Sequence, residues 1–245
     1  MRVLMTGAAG FVGRAAVDLL AENHEVTAFD LRTVPDFAGF VQGDVLDYDV
    51  VHAAVEGHDA VVNTIMAPNR TYGYGAERSG FTINVTGLLN LLEAARAHGV
   101  ERFVHTSSGA VQEGYPRSTF YGNDLYPLKA GGSYGLSKLL QEELTRNFHE
   151  QHGMAIALIR PWGIIDRERM VTTDGTPVTG FSWGSIDRRD VASALVCALE
   201  LDDLGYDCFH VTATPGGRRA TDVARTEERL GWKPRFTFDA DLHRD

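Results

Sequence analysis

Short apolar runs alternate along this chain with longer stretches whose apolar residues recur every three or four positions. Val3-Leu4-Met5, Val26 to Phe29, Phe40-Val41-Gln42, Ala60-Val61-Val62, Arg102 to Thr106 and Ala155 to Ile159 have the length and content of strands. Between them, Phe11 to Glu22, a segment from Asp47, about Ser79 to His98, and Tyr134 to His152 carry helical spacing. In the third of these, Val85, Leu88, Leu89, Leu92 and Ala95 would share one face. Strand–helix alternation of this kind predicts an α/β fold, a doubly wound parallel sheet with helices on both faces. A ligand crevice is then expected at the carboxyl ends of the strands. Two glycine-rich segments, Asn69 to Gly80 and Gly114 to Gly132, have the length of binding loops or lids.

Composition narrows the partners. At 245 residues, 44% hydrophobic and 23% charged, the chain can bury a full core. A net charge of −10 argues against nucleic acid and anionic membrane surfaces. No apolar run is long enough to span a bilayer, and a first strand at Arg2 leaves no room for a signal peptide. A cytoplasmic chain is the expectation. Cys197 and Cys208 read as small buried hydrophobes rather than a disulfide framework. His149 and His152 lie three apart near a helix end without carboxylates or cysteines around them. No metal site is expected, and these two read as solvated positions. Ser107 and Ser108, at a strand end, lack the surroundings of a nucleophile elbow.

The chemistry concentrates in a few places. Gly7, Gly10 and Gly13 follow the first strand and open a helix, where they permit a tight turn and close approach of backbone to a pyrophosphate. This is the signature of a Rossmann-type dinucleotide site. Asp30 ends the second strand, where a carboxylate can bond both ribose hydroxyls and repel a 2′-phosphate, favouring NAD over NADP. Arg32, two residues on, could hold that phosphate instead, or be a solvated surface arginine. Asp44 could accept from an adenine amino group or serve the turn before the helix from Asp47. Tyr134 and Lys138, four apart on a helix, share one face. A cation beside a phenol favours the phenolate, which makes tyrosine usable as an acid/base near neutral pH.

The ordered set Thr6-Gly7-x-x-Gly10-x-x-Gly13, Asp30, Gly43-Asp44-Val45, Asn84-Val-Thr-Gly87, Thr106-Ser107-Ser108, Tyr134-x-x-x-Lys138, Arg160-Pro161, Asp187-x-x-Asp190-Val-Ala192 and Leu230-Gly-Trp-Lys-Pro234 resembles the extended short-chain dehydrogenase/reductase family, also called the NAD-dependent epimerase/dehydratase family. The resemblance covers nearly the whole chain. It implies Tyr134 as catalytic acid/base, and Lys138 bonding the nicotinamide ribose and lowering the tyrosine pKa. It further implies Ser108 holding the reacting oxygen and Asn84 supporting the lysine through water. The implied NAD-binding set is Gly7, Ala9, Gly10, Phe11, Val12 and Gly13; Asp30, Leu31 and Arg32; Asp44 and Val45; Thr64, Ile65 and Met66. Thr106, Tyr134 and Lys138 complete it, with Pro161, Trp162 and Gly163 facing the nicotinamide carboxamide. It also implies a division into an NAD-binding Rossmann core at 1–160, containing the catalytic helix, and a reduced substrate-binding part at 161–245 with interleaved core elements. A homodimer through the helices at about Ser79 to His98 and Tyr134 to His152 is implied as well.

Two departures bear on substrate. Asn63-Thr64-Ile65-Met66-Ala67 is bulkier than the small residues usual in the family and would narrow the nicotinamide side. Only 85 residues, 161–245, follow Arg160, too few for the nucleotide-diphosphate pocket of nucleotide-sugar enzymes. In length and layout the chain is most similar to uronate dehydrogenases, which oxidise a free sugar acid at C1 with NAD. Arg169-Met-Val-Thr-Thr173 resembles a substrate segment there whose arginine clamps a carboxylate through its bidentate fork. Gly109 and Ala110, beside Ser108, stand where those enzymes carry polar sugar contacts, and where dehydratases usually carry an Asp-Glu pair. The expectation is an NAD-dependent oxidoreductase acting on a hydroxyl or carbonyl of a small polar, sugar-like substrate. An NAD-dependent epimerase and a non-catalytic NAD-binding regulatory protein are the alternatives, the last opposed by an intact Ser108, Tyr134 and Lys138.

Overall fold

The computed structural model describes residues 1–34, 37–67 and 76–238. Six strands, β1 (Arg2–Thr6), β2 (Glu25–Asp30), β3 (Phe40–Gln42), β4 (Ala60–Asn63), β5 (Arg102–Thr106) and β6 (Ala155–Pro161), form the sheet expected from the apolar runs. A seventh, β10 (Tyr206–Val211), pairs with β6 at the edge, giving the all-parallel order β10-β6-β5-β4-β1-β2-β3. The order reverses direction between β1 and β4, the switch point at which a doubly wound sheet opens its ligand crevice. β7 (Gly163–Asp166), β8 (Val171–Thr172) and β9 (Ser185–Asp187) make a separate small sheet, ordered β8-β7-β9.

The helices cover both faces, because each buries one apolar stripe. α1 (Gly13–Leu20) and α6 (Arg188–Leu199) pack Ala16, Val17, Leu20, Val191 and Leu195 against Val3, Met5, Val62, Val104 and Ile159. α2 (Tyr48–Val55), α4 (Gly87–Ala97) and α5 (Gly132–His152) cover the other face through Val51, Leu88, Leu91, Leu92 and Phe148, against Leu4, Phe29, Val61, Phe103 and Ile156. α7 (Pro215–Ala220) and α8 (Val223–Leu230) follow β10.

Several local readings change. α1 begins at Gly13 rather than Phe11, since Phe11 and Val12 still belong to the glycine turn. The segment expected as one helix at about 79–98 is α3 (Ala76–Phe81), a π-helical turn (Thr82–Thr86) and α4. A π-turn widens the winding and shifts the apolar stripe. Within α4 the buried stripe runs through Leu88, Leu91, Leu92 and Ala95, so Leu89 faces outward at 37% exposure. Asp47 caps α2, accepting from the Val50 amide, and Asp44 accepts from the Leu46 amide in the turn before it. His149 is half-buried rather than solvated, its Nδ1 2.9 Å from the Met154 carbonyl oxygen. Cys197 and Cys208 are free and half-buried. Of the segment Asn69 to Gly80, residues 69–75 lie outside the described residues. The segment Gly114 to Gly132 is tied down: Gly114 bonds the Lys129 carbonyl, and Tyr121 pairs with Thr221.

Candidate active site

The glycine turn is set by contact, not only by flexibility. Gly7 has φ +77°, the left-handed region that side chains disfavour. A Cβ on Gly13 would lie 2.0 Å from the Gly7 carbonyl oxygen, so only hydrogen fits there. This contact brings the start of α1 against the end of β1, leaving a cradle with the helix N-terminus toward the crevice. A dinucleotide pyrophosphate fits that cradle, which a side chain at Gly13 would fill.

Asp30, 8% exposed, ends β2 and accepts from the Ala9 amide and the Arg32 amide, both at 2.9 Å. Arg32 folds back beside it. Its Nη2 donates to the Ala9 carbonyl at 3.0 Å, and its Nε lies 3.8 Å from Asp30 Oδ1. The carboxylate and the guanidinium thus both line the crevice.

The first turn of α5 carries Tyr134, and Lys138 follows one turn later on the same face. Lys138 is 2% exposed and its Nζ donates to the Thr106 carbonyl at 2.9 Å, fixing the ammonium at the end of β5. Ser108 sits just past that strand end. Its Oγ accepts from the Ala110 amide at 3.2 Å, which leaves its hydroxyl hydrogen to donate elsewhere.

Behind these groups lie buried polar contacts that the linear sequence did not announce. His105 on β5 is fully buried, and burial first, then the Lys138 cation, hold its pKa well below the usual imidazole value. The Asn63 amide nitrogen lies 3.1 Å from His105 Nδ1, consistent with a neutral ring accepting there. Asn63 is therefore turned inward, its Oδ1 taking Thr6 Oγ1 and the Ile65 amide, while Thr64, Ile65, Met66 and Ala67 of the same stretch line the crevice. Glu142, one turn beyond Lys138, is completely buried. It accepts from Arg160 Nε at 2.9 Å, Arg160 Nη2 at 2.7 Å and Ser107 Oγ at 2.5 Å. Burial opposes the Arg160 charge, and the adjacent Glu142 carboxylate more than offsets it, raising the Arg160 pKa. The helix of Tyr134 and Lys138 is so tied to the residue preceding Ser108.

One crevice of about 570 Å³ gathers most of the sequence-derived site. Gly7, Gly10, Phe11, Val12, Asp30, Leu31, Arg32, Asp44, Val45, Thr64, Ile65, Met66, Thr106, Ser108, Ala110, Tyr134, Lys138, Pro161 and Trp162 all line it. Ala9 and Gly13 act from behind, through the Asp30 bond and the Gly7 contact. Gly109 lies under Trp162, where a Cβ would meet the indole at 2.2 Å, and Gly163 opens β7; neither lines the crevice. Asn84, in the π-turn, is 1% exposed. Its Oδ1 accepts from the Ala67 amide and its Nδ2 donates to Ser137 Oγ, so it braces the strand-end loop against α5. Arg169 is not brought in: its side chain is 78% exposed and 4.0 Å from Asp166.

Residues the sequence reading missed also line the crevice, among them Ser107, Glu113, Ile164 and Thr173. Ser107 and Thr173 belong to segments that the sequence singles out, the strand-end serines and the Arg169–Thr173 stretch, whereas Glu113 and Ile164 carry no spacing signal. Trp162 stacks on Tyr121 at 4.8 Å between centroids and 22° between planes, and donates from Nε1 to His210 Nδ1 at 3.3 Å. Among the described residues no group of three or more His, Cys, Asp or Glu could hold a metal ion.

Comparison with known proteins agrees with this geometry. Residues 3–165 match the model of the NAD dependent epimerase/dehydratase family. The chain is 37% identical over 253 residues to uronate dehydrogenase of Agrobacterium fabrum, covering 98% of this chain and 86% of that one. It is 28% identical over 306 residues to UDP-glucose 4-epimerase of Corynebacterium glutamicum, with 97% and 92% covered. A mutant of uronate dehydrogenase from Agrobacterium tumefaciens, solved in complex with NAD, superposes with TM-score 0.77 at 29% identity, covering 96% of this chain and 85% of that chain. With a glycine cradle, a strand-end aspartate and the Ser108, Tyr134 and Lys138 side chains in one crevice, the chain belongs to the NAD-dependent epimerase/dehydratase family.

Proposed function

We propose that this chain oxidises the C1 hydroxyl of a free sugar acid, as an NAD-dependent dehydrogenase of the uronate dehydrogenase type. The observation that carries the reading is the single crevice shared by Asp30, the glycine turn and the Ser108, Tyr134 and Lys138 side chains. The cofactor is NAD, which when bound supplies the acceptor for the substrate's hydride. Gly7, Gly10 and the start of α1 receive its pyrophosphate, and Asp30 its adenosine ribose. Ser108 Oγ donates to the reacting oxygen and holds it in place. Tyr134 takes the hydroxyl proton, and the buried Lys138 ammonium favours that transfer by its charge. The planar Trp162 face, set by its contact with Gly109, borders the substrate end of the crevice. Arg169, on the segment that leads to Thr173, is the proposed partner of the substrate carboxylate, reached by reorientation of its exposed side chain.

The higher identity to the uronate dehydrogenase relative, 37% against 28% for the UDP-glucose 4-epimerase, supports the dehydrogenase over a nucleotide-sugar epimerase. Leu89 of α4 and Leu136 and Leu140 of α5 are exposed, which supports dimerisation through these helices. No described helix is long and apolar enough to cross a membrane, in keeping with a cytoplasmic enzyme. The test is a panel of free uronic acids, neutral aldoses and nucleotide sugars, with NAD reduction followed by absorbance. Reduction on uronic acids that drops roughly 100-fold or more in Tyr134→Phe supports the reading. Interconversion of sugars without accumulated NADH would instead make the chain an epimerase.

A further inference from the structure

A second cavity, of about 470 Å³, lies among the loop at 123–128, α5, β10 and α8, and shares no lining residue with the cofactor crevice. Arg160 reaches it from β6 with its side chain 3% exposed. Glu142 occupies Nε and Nη2 of that guanidinium, and Nη1 has no hydrogen-bond partner. Both carboxamide atoms of Asn123 and the Nε of Arg146, on the same cavity lining, are also buried without a partner. The side chains that carry these three donors and one acceptor line a single cavity whose volume is in the range of small-molecule sites.

The charges around it are unevenly spent. Arg225 holds both oxygens of Asp207 at 2.8 and 2.9 Å, and Glu142 neutralises Arg160. Among the described residues Arg146 is ion-paired with Glu143 alone, 3.9 Å away, and lies over the Tyr126 and Tyr206 rings at 5.2 and 5.5 Å. Asp124 and Asp222 also line the cavity, so a multiply charged anion would meet carboxylates. One negative charge with hydroxyl groups matches this set: the charge for Arg146, with a further hydrogen bond from Arg160 Nη1, and the hydroxyls for Asn123 and the two aspartates.

We propose that this cavity binds a small hydroxylated monocarboxylate, the carboxylate seated on Arg160 Nη1 and Arg146 and a hydroxyl on the Asn123 carboxamide. The probe is D-gluconate, titrated by calorimetry into the full chain saturated with NAD. Binding should persist in Ser108→Ala, which alters only the crevice. It should weaken about tenfold or more in Asn123→Ala and in Arg146→Gln, each removing one of the bonds, one of them charge-assisted. Both side chains lie outside the main apolar core, and matched melting curves would show both variants folded. Glucose and inorganic sulfate should bind more weakly than gluconate. The proposal is overturned if gluconate does not bind, if its binding survives both cavity substitutions, or if Ser108→Ala abolishes it. A gluconate-soaked crystal with only water in the cavity would overturn it equally.

Discussion

Replacing Glu142 by glutamine tests the buried link behind the catalytic helix. Glu142 is fully buried and accepts three bonds, two from Arg160 and one from Ser107. Glutamine preserves the shape but removes the charge and turns an amide donor toward groups that are themselves donors. The Arg160 guanidinium cannot deprotonate, and Glu142 is the partner that its Nε and Nη2 would lose. Removing one partner of a buried pair costs about 3–5 kcal/mol, far above the 0–1 kcal/mol of an exposed pair. For a chain of this size each kcal/mol lowers Tm by about 2–4 °C, so Glu142→Gln should melt roughly 6–20 °C below the parent. Urea denaturation followed by circular dichroism gives the free energy, and a thermal scan gives Tm. The double variant Glu142→Leu/Arg160→Met removes both charges and should regain much of the loss, because well-packed apolar residues replace such pairs at little net cost. A single-variant loss below about 1 kcal/mol would refute the argument, since the pair would then behave as solvent-screened.

Gly13→Ala should weaken NAD binding and cost about 1–3 kcal/mol of stability by overpacking against the Gly7 carbonyl, 2.0 Å from the new Cβ; calorimetry and denaturation that find neither effect would contradict the contact. His105 is neutral in the fold with its pKa depressed by burial, whereas the unfolded chain binds a proton below about pH 6.5, so its contribution to stability falls as pH drops through and below that value. The slope assigned to this one group is about 1.4 kcal/mol per pH unit, and His105→Gln should remove it from the urea-stability profile between about pH 5 and 6.5. Arg169→Ala should raise KM for acidic sugars by roughly 10- to 100-fold and leave neutral sugars nearly unchanged; equal effects on both would make Arg169 a surface charge only.

The sequence by itself determined what depends on short separations. The strand–glycine–helix turn, Asp30 at a strand end, and Tyr134 with Lys138 one turn apart follow from periodicity and local backbone geometry. All of them reappear around one crevice, except Gly13, which acts from behind it. The π-turn at Thr82–Thr86 was invisible to the same reasoning, because one wider turn changes the winding of the helix without changing composition. Tertiary structure alone decided the pairings across long separations: Asn63 with His105, Ser107 and Arg160 with Glu142, and Trp162 over Gly109. It also placed β10 as the seventh strand and left Arg169 facing solvent. A buried polar group must find a partner wherever the fold brings one near, and no spacing along the chain encodes which partner that is.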